Sequence, residues 1–508
     1  MTSLKKNAFW ITALTLISKI LGFGKQMLLA HFFGASYIVD AYLMAIAIPS
    51  ILFGGITNSI SVTYIPVYTE IEERDGKKAS NNFTSNISLL SLFFSLTVTT
   101  VGVYFSEEIV RLLASGFEGE TYLLTVKFLR ISFYATVATS LRNIYMSYLH
   151  CNNGYIIEKI SSLAFNVVNI TVVVISGFYN YEFLMYGYTL GYFIFMILTV
   201  INSSTRGYNF RFKLEINKNI RKVFYLSLPV FIGSMAGQIN LLVDKTIAST
   251  LKEGSISALN YAAVVNSFVF SLMTVAMITI IYPLFAKQIS RNDIEGFKNT
   301  LIKGMNLLII FLVPVLVGSL VLAKPAIVFV YERGAFDTSA TNMTYTAFVL
   351  YAIGILGMGL KGLMVKAFYS LQDTKRPMII GFISVGINIS LNLILVKFME
   401  HNGLALATSI TSTITVIPLV ILLRKKIGPF TLLNSTKLFM KSTVSACVMG
   451  IAIYFIYGLI GPVIGIGFIK ELISIVITVV LGALLYFTVM KLIKVKELKY
   501  IESLIFKR

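Results

Sequence analysis

Lys19, Lys25 and Asp40 lie in one stretch, Ser18 to Tyr42 (SKILGFGKQMLLAHFFGASYIVDAY), that is otherwise apolar enough to enter a membrane. A charge at the centre of a bilayer costs roughly 2.5–3.5 kcal/mol on the insertion scale. Lysines held at that depth therefore face protein or a water-filled cavity rather than lipid, and an intramembrane charge points to function. The chemistry they offer is electrostatic, since each ammonium can hold an anionic headgroup as a point charge. Arg142, Lys245, Lys361 and Lys366 interrupt later apolar runs in the same way. Lys361 and Lys366 sit about 140° apart round a helix; they do not share a narrow face, but both can border a wide cavity. Asp40 has two readings. It caps or pairs near the end of its span, or it forms a gate ion pair with a cavity lysine.

The elements that must position these charges are membrane spans. Of 508 residues, 56% are hydrophobic and only 13% charged, where soluble chains run at about 25%. Scanning for apolar runs of about 20 residues gives fourteen, the first at 9–33 and the last at 468–491. The runs at 38–68, 121–150, 221–250, 256–287 and 338–371 exceed what a bilayer needs and should tilt, kink or project. Pro49 with Gly54 and Gly55, and the glycines at 354, 357, 359 and 362, are the expected kink points. Lys5 and Lys6 precede the first run as in a signal peptide, but no small-residue cleavage site follows, so it reads as a retained span.

Net charge is +20, which could indicate nucleic acid, but its distribution argues for a membrane. Of the basic residues in loops, all but Arg111, Lys252, Lys324 and Arg333 fall in the set that includes both termini. The positive-inside rule then places both termini in the cytoplasm. Lys127 and Arg130, near the start of the fourth run, read as a solvated interface. Cys151 and Cys447 have no metal or redox spacing, no GxxxxGK[ST] loop is present, and no enzymatic constellation emerges. No metal or cofactor is expected.

An internal repeat runs at an offset near 220: Lys25 with Lys245, Gly34 with Gly254, Asp40 with Asn260, Arg142 with Lys361. Six spans between repeat starts preserve direction, which gives parallel repeats. The expected organisation is an N-terminal lobe at 1–203, a basic linker at 204–222, a C-terminal lobe at 223–426, and a final pair of spans with a basic tail at 427–508. Two-lobed repeats of this kind belong to transporters.

Several segments together resemble the lipid II flippase (MurJ/MviN) family of the multidrug/oligosaccharidyl-lipid/polysaccharide exporter superfamily. They are SKILGFGKQMLLAHFFGASYIVDAYLMAIAIPS from Ser18, LVDKTIAS with GSISALNYA (242–262), YERGAFD (331–337), AFYSLQDTKRP (367–377) and GLALATS (403–409). The resemblance implies an all-α inner-membrane transporter of about fourteen helices that works by alternating access. Its substrate would be an undecaprenyl-pyrophosphate-linked peptidoglycan precursor, its surroundings the lipid bilayer, and its candidate partners cell-wall synthesis proteins. Lys19 and Lys25 stand where the family typically has arginines, and Asp40 matches its span 2 aspartate. The family's paired span 2 arginines fall near Phe53 and Gly54 here, and its span 8 arginine near Val264. Those departures bring in a rival substrate, another lipid-linked glycan of the capsule or teichoic kind. A cation-coupled drug antiporter would call for acidic interior residues, of which only Asp40 and Asp244 are clear. A non-transporting scaffold would tolerate charge reversal.

Overall fold

A computed structural model of the chain describes residues 2–212, 214–464 and 467–498. Among the described residues there is no strand. The helices are α1 (Thr2–Phe33), α2 (Tyr37–Tyr104), short α3 (Ser106–Leu113), α4 (Gly119–Cys151), α5 (Tyr155–Phe178), α6 (Phe183–Thr205), α7 (Lys218–Ser249), α8 (Ser255–Ser290) and α9 (Ile294–Val321). They continue with short α10 (Ala323–Tyr331), α11 (Thr338–Ile353), α12 (Ile355–Ser370), α13 (Lys375–Met399), α14 (His401–Ile414), α15 (Val416–Ile427), α16 (Leu433–Ile464) and α17 (Phe468–Leu492). Local signals set several starts. Asn217, Asp293 and Asp337 each accept a hydrogen bond from the first turn of the helix they precede, at 2.8–3.1 Å.

Among the described residues, eleven helical stretches are long and apolar enough to cross a membrane, or twelve if α11 and α12, bent by 45°, make one span. That count takes α2 once and omits α4. α2 has 68 residues, about 100 Å at 1.5 Å per residue, far beyond a hydrocarbon core of about 30 Å. Its one non-helical residue is Gly76, with φ 82° and ψ 174°. The Tyr64 hydroxyl lies 2.6 Å from that of Thr84, and the Tyr64 and Phe83 rings stack at 5.4 Å. A continuous helix would separate those positions by about 30 Å, so α2 folds back at Gly76 as a hairpin of two spans. With both legs and α4 counted, the architecture is the expected one of about fourteen spans. The backbone stays helical through Pro49, Gly54 and Gly55, whereas the expected break at Gly354 is present.

Two compact units divide the chain: residues 1–257 with 333–336, and 258–332 with 337–508. The first is centred on buried Tyr64, Tyr68, Ile87, Tyr145, Tyr148 and Ile220 from α2, α4 and α7. The second holds one core around Phe285, Phe297, Leu301, Leu363 and Phe368, and another where α16 and α17 pack on α9 through Ile310, Met449, Ile453 and Tyr486. α7 belongs to the first unit, with the Thr63 and Ser227 hydroxyls 2.7 Å apart. Division by repeat and division by packing thus differ by α7. Lipid gives helices no hydrophobic drive to associate, so small residues and close packing must hold them. Gly187 and Gly102 illustrate this, since a Cβ at either would come within 2.0–2.3 Å of Val172 or Phe133.

Candidate functional site

In the first unit, Lys25 of α1 and Arg142 of α4 flank a ladder of aromatic rings. The Lys25 ammonium lies 5.8 Å from the centroid of the buried Tyr42 ring. Tyr42 meets Tyr188 edge-on at 6.4 Å, and Tyr188 meets Tyr192 at 4.9 Å. The Arg142 guanidinium then lies over Tyr192 at 5.7 Å and over Phe195 at 4.8 Å. Contacts of this kind contribute about 0.5–2 kcal/mol each. Among the described residues neither cation has a carboxylate partner. Arg142 donates to the Asn143 side-chain oxygen at 2.6 Å, and its buried Nε has no hydrogen-bond partner. A cation–π contact leaves the charge uncompensated, so both groups remain able to attract an anion. Tyr188, Tyr192 and Phe195 recur at i, i+4 and i+7, one face of α6. That spacing is visible in the sequence.

Lys19 is exposed on α1 and has no hydrogen bond or ion pair among the described residues. Beside it, Ser18 is fixed to α5: its hydroxyl lies 3.2 Å from that of Ser162 and accepts from Asn166 at 2.8 Å. Lys245 of α7 donates to the Leu43 carbonyl at 3.4 Å. In the second unit Lys361 is half-buried without a hydrogen bond or ion pair among the described residues. Lys366 lies 5.3 Å from the Tyr282 ring and 5.8 Å from the Tyr369 ring. By contrast, Lys127 and Arg130 are paired with Glu182 at 2.5 Å and Glu107 at 2.9 Å, as a solvated interface requires.

Asp40 takes the capping role. Its buried carboxylate accepts from the Gly254 and Ser257 backbone N–H groups at 2.8 and 2.7 Å and from the Ser257 hydroxyl at 2.5 Å. It thus caps α8, whose first-turn N–H groups lack helical partners and favour a negative charge. Glu253 reciprocates by accepting from the Tyr37 N–H, the first of α2, at 2.9 Å. Both turns need the left-handed backbone of glycine: Gly34 has φ 63° and Gly254 has φ 83°. A Cβ at either would lie within 2.4–2.5 Å of a carbonyl oxygen, that of Ala335 or Ala35. Of the two readings of Asp40 this conformation shows the cap, and no ion pair within 4 Å joins Asp40 to a lysine among the described residues.

Beside the ring ladder a small open recess of about 60 Å³ is lined by Phe53, Thr57, Thr136, Thr139, Tyr188 and Tyr192, among others. Asn143 connects it to Arg142, because the Asn143 amide donates to Thr57 at 3.4 Å while its oxygen accepts from Arg142. Phe53 and Gly54, where the resembled family carries arginines, both line it. Sequence reasoning missed this recess because its lining comes from α2, α4 and α6.

These features define a polytopic helical membrane protein with uncompensated interior cations, the charge pattern of a transporter for anions. The model of the family "Lipid II flippase MurJ" matches residues 29–474. A probable lipid II flippase MurJ of Buchnera aphidicola is 28% identical over 81% of this chain and 82% of its own length. The corresponding protein of Rickettsia prowazekii has the same identity and coverage. A lipid II flippase MurJ solved in an inward closed conformation superposes with a TM-score of 0.81 at 26% identity, covering 95% of this chain and 98% of that one. An inward-facing multidrug resistance transporter of the MATE family, at 12% identity and TM-score 0.67, shares the fold. The chain belongs to the lipid II flippase MurJ family.

Proposed function

We propose that this protein moves lipid II, an undecaprenyl-pyrophosphate-linked peptidoglycan precursor, from the inner to the outer leaflet of the bacterial cytoplasmic membrane by alternating access. Family membership supports the substrate class. The observation that carries the reading is that Lys25 and Arg142 are held on aromatic rings without a carboxylate partner. Interior cations kept uncompensated at the cost noted above are what a pyrophosphate would neutralise. Lys19, Lys25, Lys245 and Arg142 supply that positive charge in the first unit, and Lys361 and Lys366 are the candidate substrate cations of the second. Asp40 acts through structure, by fixing the start of α8. The exposed apolar faces of α16 and α17, including Ile451, Phe455, Val480 and Leu484, would accompany the lipid tail. Both termini lie in the cytoplasm, on the basic side of the membrane.

A second reading, another lipid-linked glycan, is favoured by Phe53, Gly54 and Val264 at positions where arginine was expected. Complementation of cells depleted of their essential lipid II flippase, with leaflet-specific labelling of lipid II, decides between them. Rescue with label appearing in the outer leaflet is the expected result. Failure to rescue, with the protein verified in the membrane, transfers the role to the other glycan.

A further inference from the structure

We propose that the cleft between α3 and the adjoining ends of α4 and α6 is a headgroup site for an anionic phospholipid without an amine, of the phosphatidylglycerol kind. The site lies apart from the interior cations and does not depend on what the protein transports. With both termini in the cytoplasm, as proposed, the cleft opens at the outer leaflet.

The cleft is open and holds about 650 Å³. Three cations line it, Arg111 from α3 and Lys127 and Arg130 from α4. The loops on this side of the membrane carry only Arg111, Lys252, Lys324 and Arg333, so the cluster is not part of a generally basic surface. Its depth is that of lipid headgroups. α4 has 33 residues, about 50 Å at 1.5 Å per residue, well beyond a hydrocarbon core of about 30 Å. Lys127 pairs with Glu182, the residue before α6, and Arg130 with Glu107 in the first turn of α3. Both cations therefore stand level with the ends of neighbouring spans. Leu123, Val126 and Ile131 continue the same face of α4 at helical spacing, and Tyr186 of α6 joins them as an apolar flank. Leu123 and Tyr186 are exposed, as a surface that meets acyl chains must be.

The cations keep donors for a phosphate. Arg111 has no carboxylate partner among the described residues: it lies over the Tyr122 ring at 5.9 Å, and its Nε donates to the Tyr122 hydroxyl at 3.2 Å. Arg130 donates from Nε to the Ser106 hydroxyl at 2.8 Å and from Nη2 to Glu107 at 2.9 Å. A guanidinium has five N–H groups, so each arginine retains donors in the fork geometry that suits phosphate. Exposed ion pairs contribute about 0–1 kcal/mol, so stability alone gives little reason for the cluster. Glu107 is the one acid lining the cleft and is taken by Arg130. A headgroup bearing an ammonium therefore finds no free carboxylate there, whereas a phosphodiester between glycerol groups meets the cations while its chains follow Leu123, Val126 and Tyr186.

The test uses full-length protein in nanodiscs that contain phosphatidylglycerol or phosphatidylethanolamine with the same diazirine-bearing acyl chains. Photocrosslinking to the peptides that carry Leu123, Val126 and Tyr186 is expected to be about tenfold stronger from phosphatidylglycerol. The Arg111→Gln, Lys127→Gln double variant is expected to lower that labelling about twentyfold, with labelling of other peptides and the unfolding temperature as in the parent. Those two controls certify a folded protein. Should the double variant unfold early, Arg111→Gln alone, which breaks no ion pair, is expected to lower the labelling about fivefold. Equal labelling by the two lipids, or labelling that the folded variant retains, overturns the site. Suppression by chain-free glycerol 3-phosphate overturns it in favour of a soluble phosphate, and suppression by lipid II at lower concentration than phosphatidylglycerol overturns it in favour of the transported lipid. Failed complementation of the flippase leaves this site standing, so the two readings fall separately.

Discussion

Several cations at the ends of the spans have carboxylate partners that Lys25 and Arg142, inside them, lack. At the ends, cations are matched with carboxylates: Lys127 with Glu182, Arg130 with Glu107, Lys222 with Glu70 at 2.5 Å, and both Arg376 and Lys426 with Asp373 at 2.9 Å. Inside, Lys25, Arg142 and Lys366 lie on tyrosine or phenylalanine rings instead. A carboxylate neighbour would cancel each interior charge, whereas a ring leaves it whole. Ring contacts also occur at the ends, as for Arg111 on Tyr122 and Lys324 on Tyr345, so it is the interior position of Lys25 and Arg142 that the proposed function assigns to a substrate.

That contrast can be broken at its extremes. Lys25→Glu should reduce lipid II flipping by 100-fold or more, on the order of 3 kcal/mol, while membrane insertion and thermal stability change little. A leaflet-labelling assay showing near-normal flux in a well-expressed Lys25→Glu protein would refute a substrate role for the ring-held cations. Asp40→Ala should act in the reverse sense, by removing the acceptor for three donors at the start of α8. A loss of about 3 kcal/mol of stability is expected, read as a lower unfolding temperature in detergent. Gly254→Ala forces a left-handed turn onto a residue with a Cβ and drives that Cβ into the Ala35 carbonyl, so about 1–3 kcal/mol should be lost. Unchanged unfolding of either variant would remove the junction from the structural class.

Asp373 sharpens the comparison from the other side. Burial pushes its carboxyl up, but the hydrogen bonds and charges of Lys426 and Arg376 outweigh this and hold it below its ordinary value. A depressed carboxylate stabilises the fold above its unfolded pKa, and the contribution disappears as pH falls through the folded value. Asp373→Asn should therefore cost about 1 kcal/mol at neutral pH and nothing at a pH low enough to protonate the native carboxyl. Unfolding temperatures measured across that range check the sign. The smallest effect is expected at Lys222→Ala, where both partners are exposed and calorimetry should find no change.

The span pattern and the interior cations were legible because each is local: an apolar run declares itself, and a lysine within it stands out. The break at Gly354 was legible for the same reason. Gly76 was not read as the reversal within α2, because it lies among polar residues and nothing local shows that helix continues on both sides of it. The role of Asp40 was left between two readings because its partners lie more than two hundred positions away, at Gly254 and Ser257. The recess needed three helices brought together, and no single stretch announces it. Arg142 was identified as a cation, but its rings are on α6, and only the packing of α4 against α6 joins them.

The reciprocal caps at the starts of α2 and α8 carry a consequence for how this sequence can diverge. Each turn supplies the carboxylate that the other needs, Asp40 for α8 and Glu253 for α2, and each glycine turn is packed against a carbonyl oxygen of a neighbouring segment. A replacement in one turn leaves donors unmet in the other and cannot be absorbed where it arises. The two segments, although more than two hundred residues apart in sequence, are therefore a single unit of inheritance. Their residues should co-vary across relatives as a matched set.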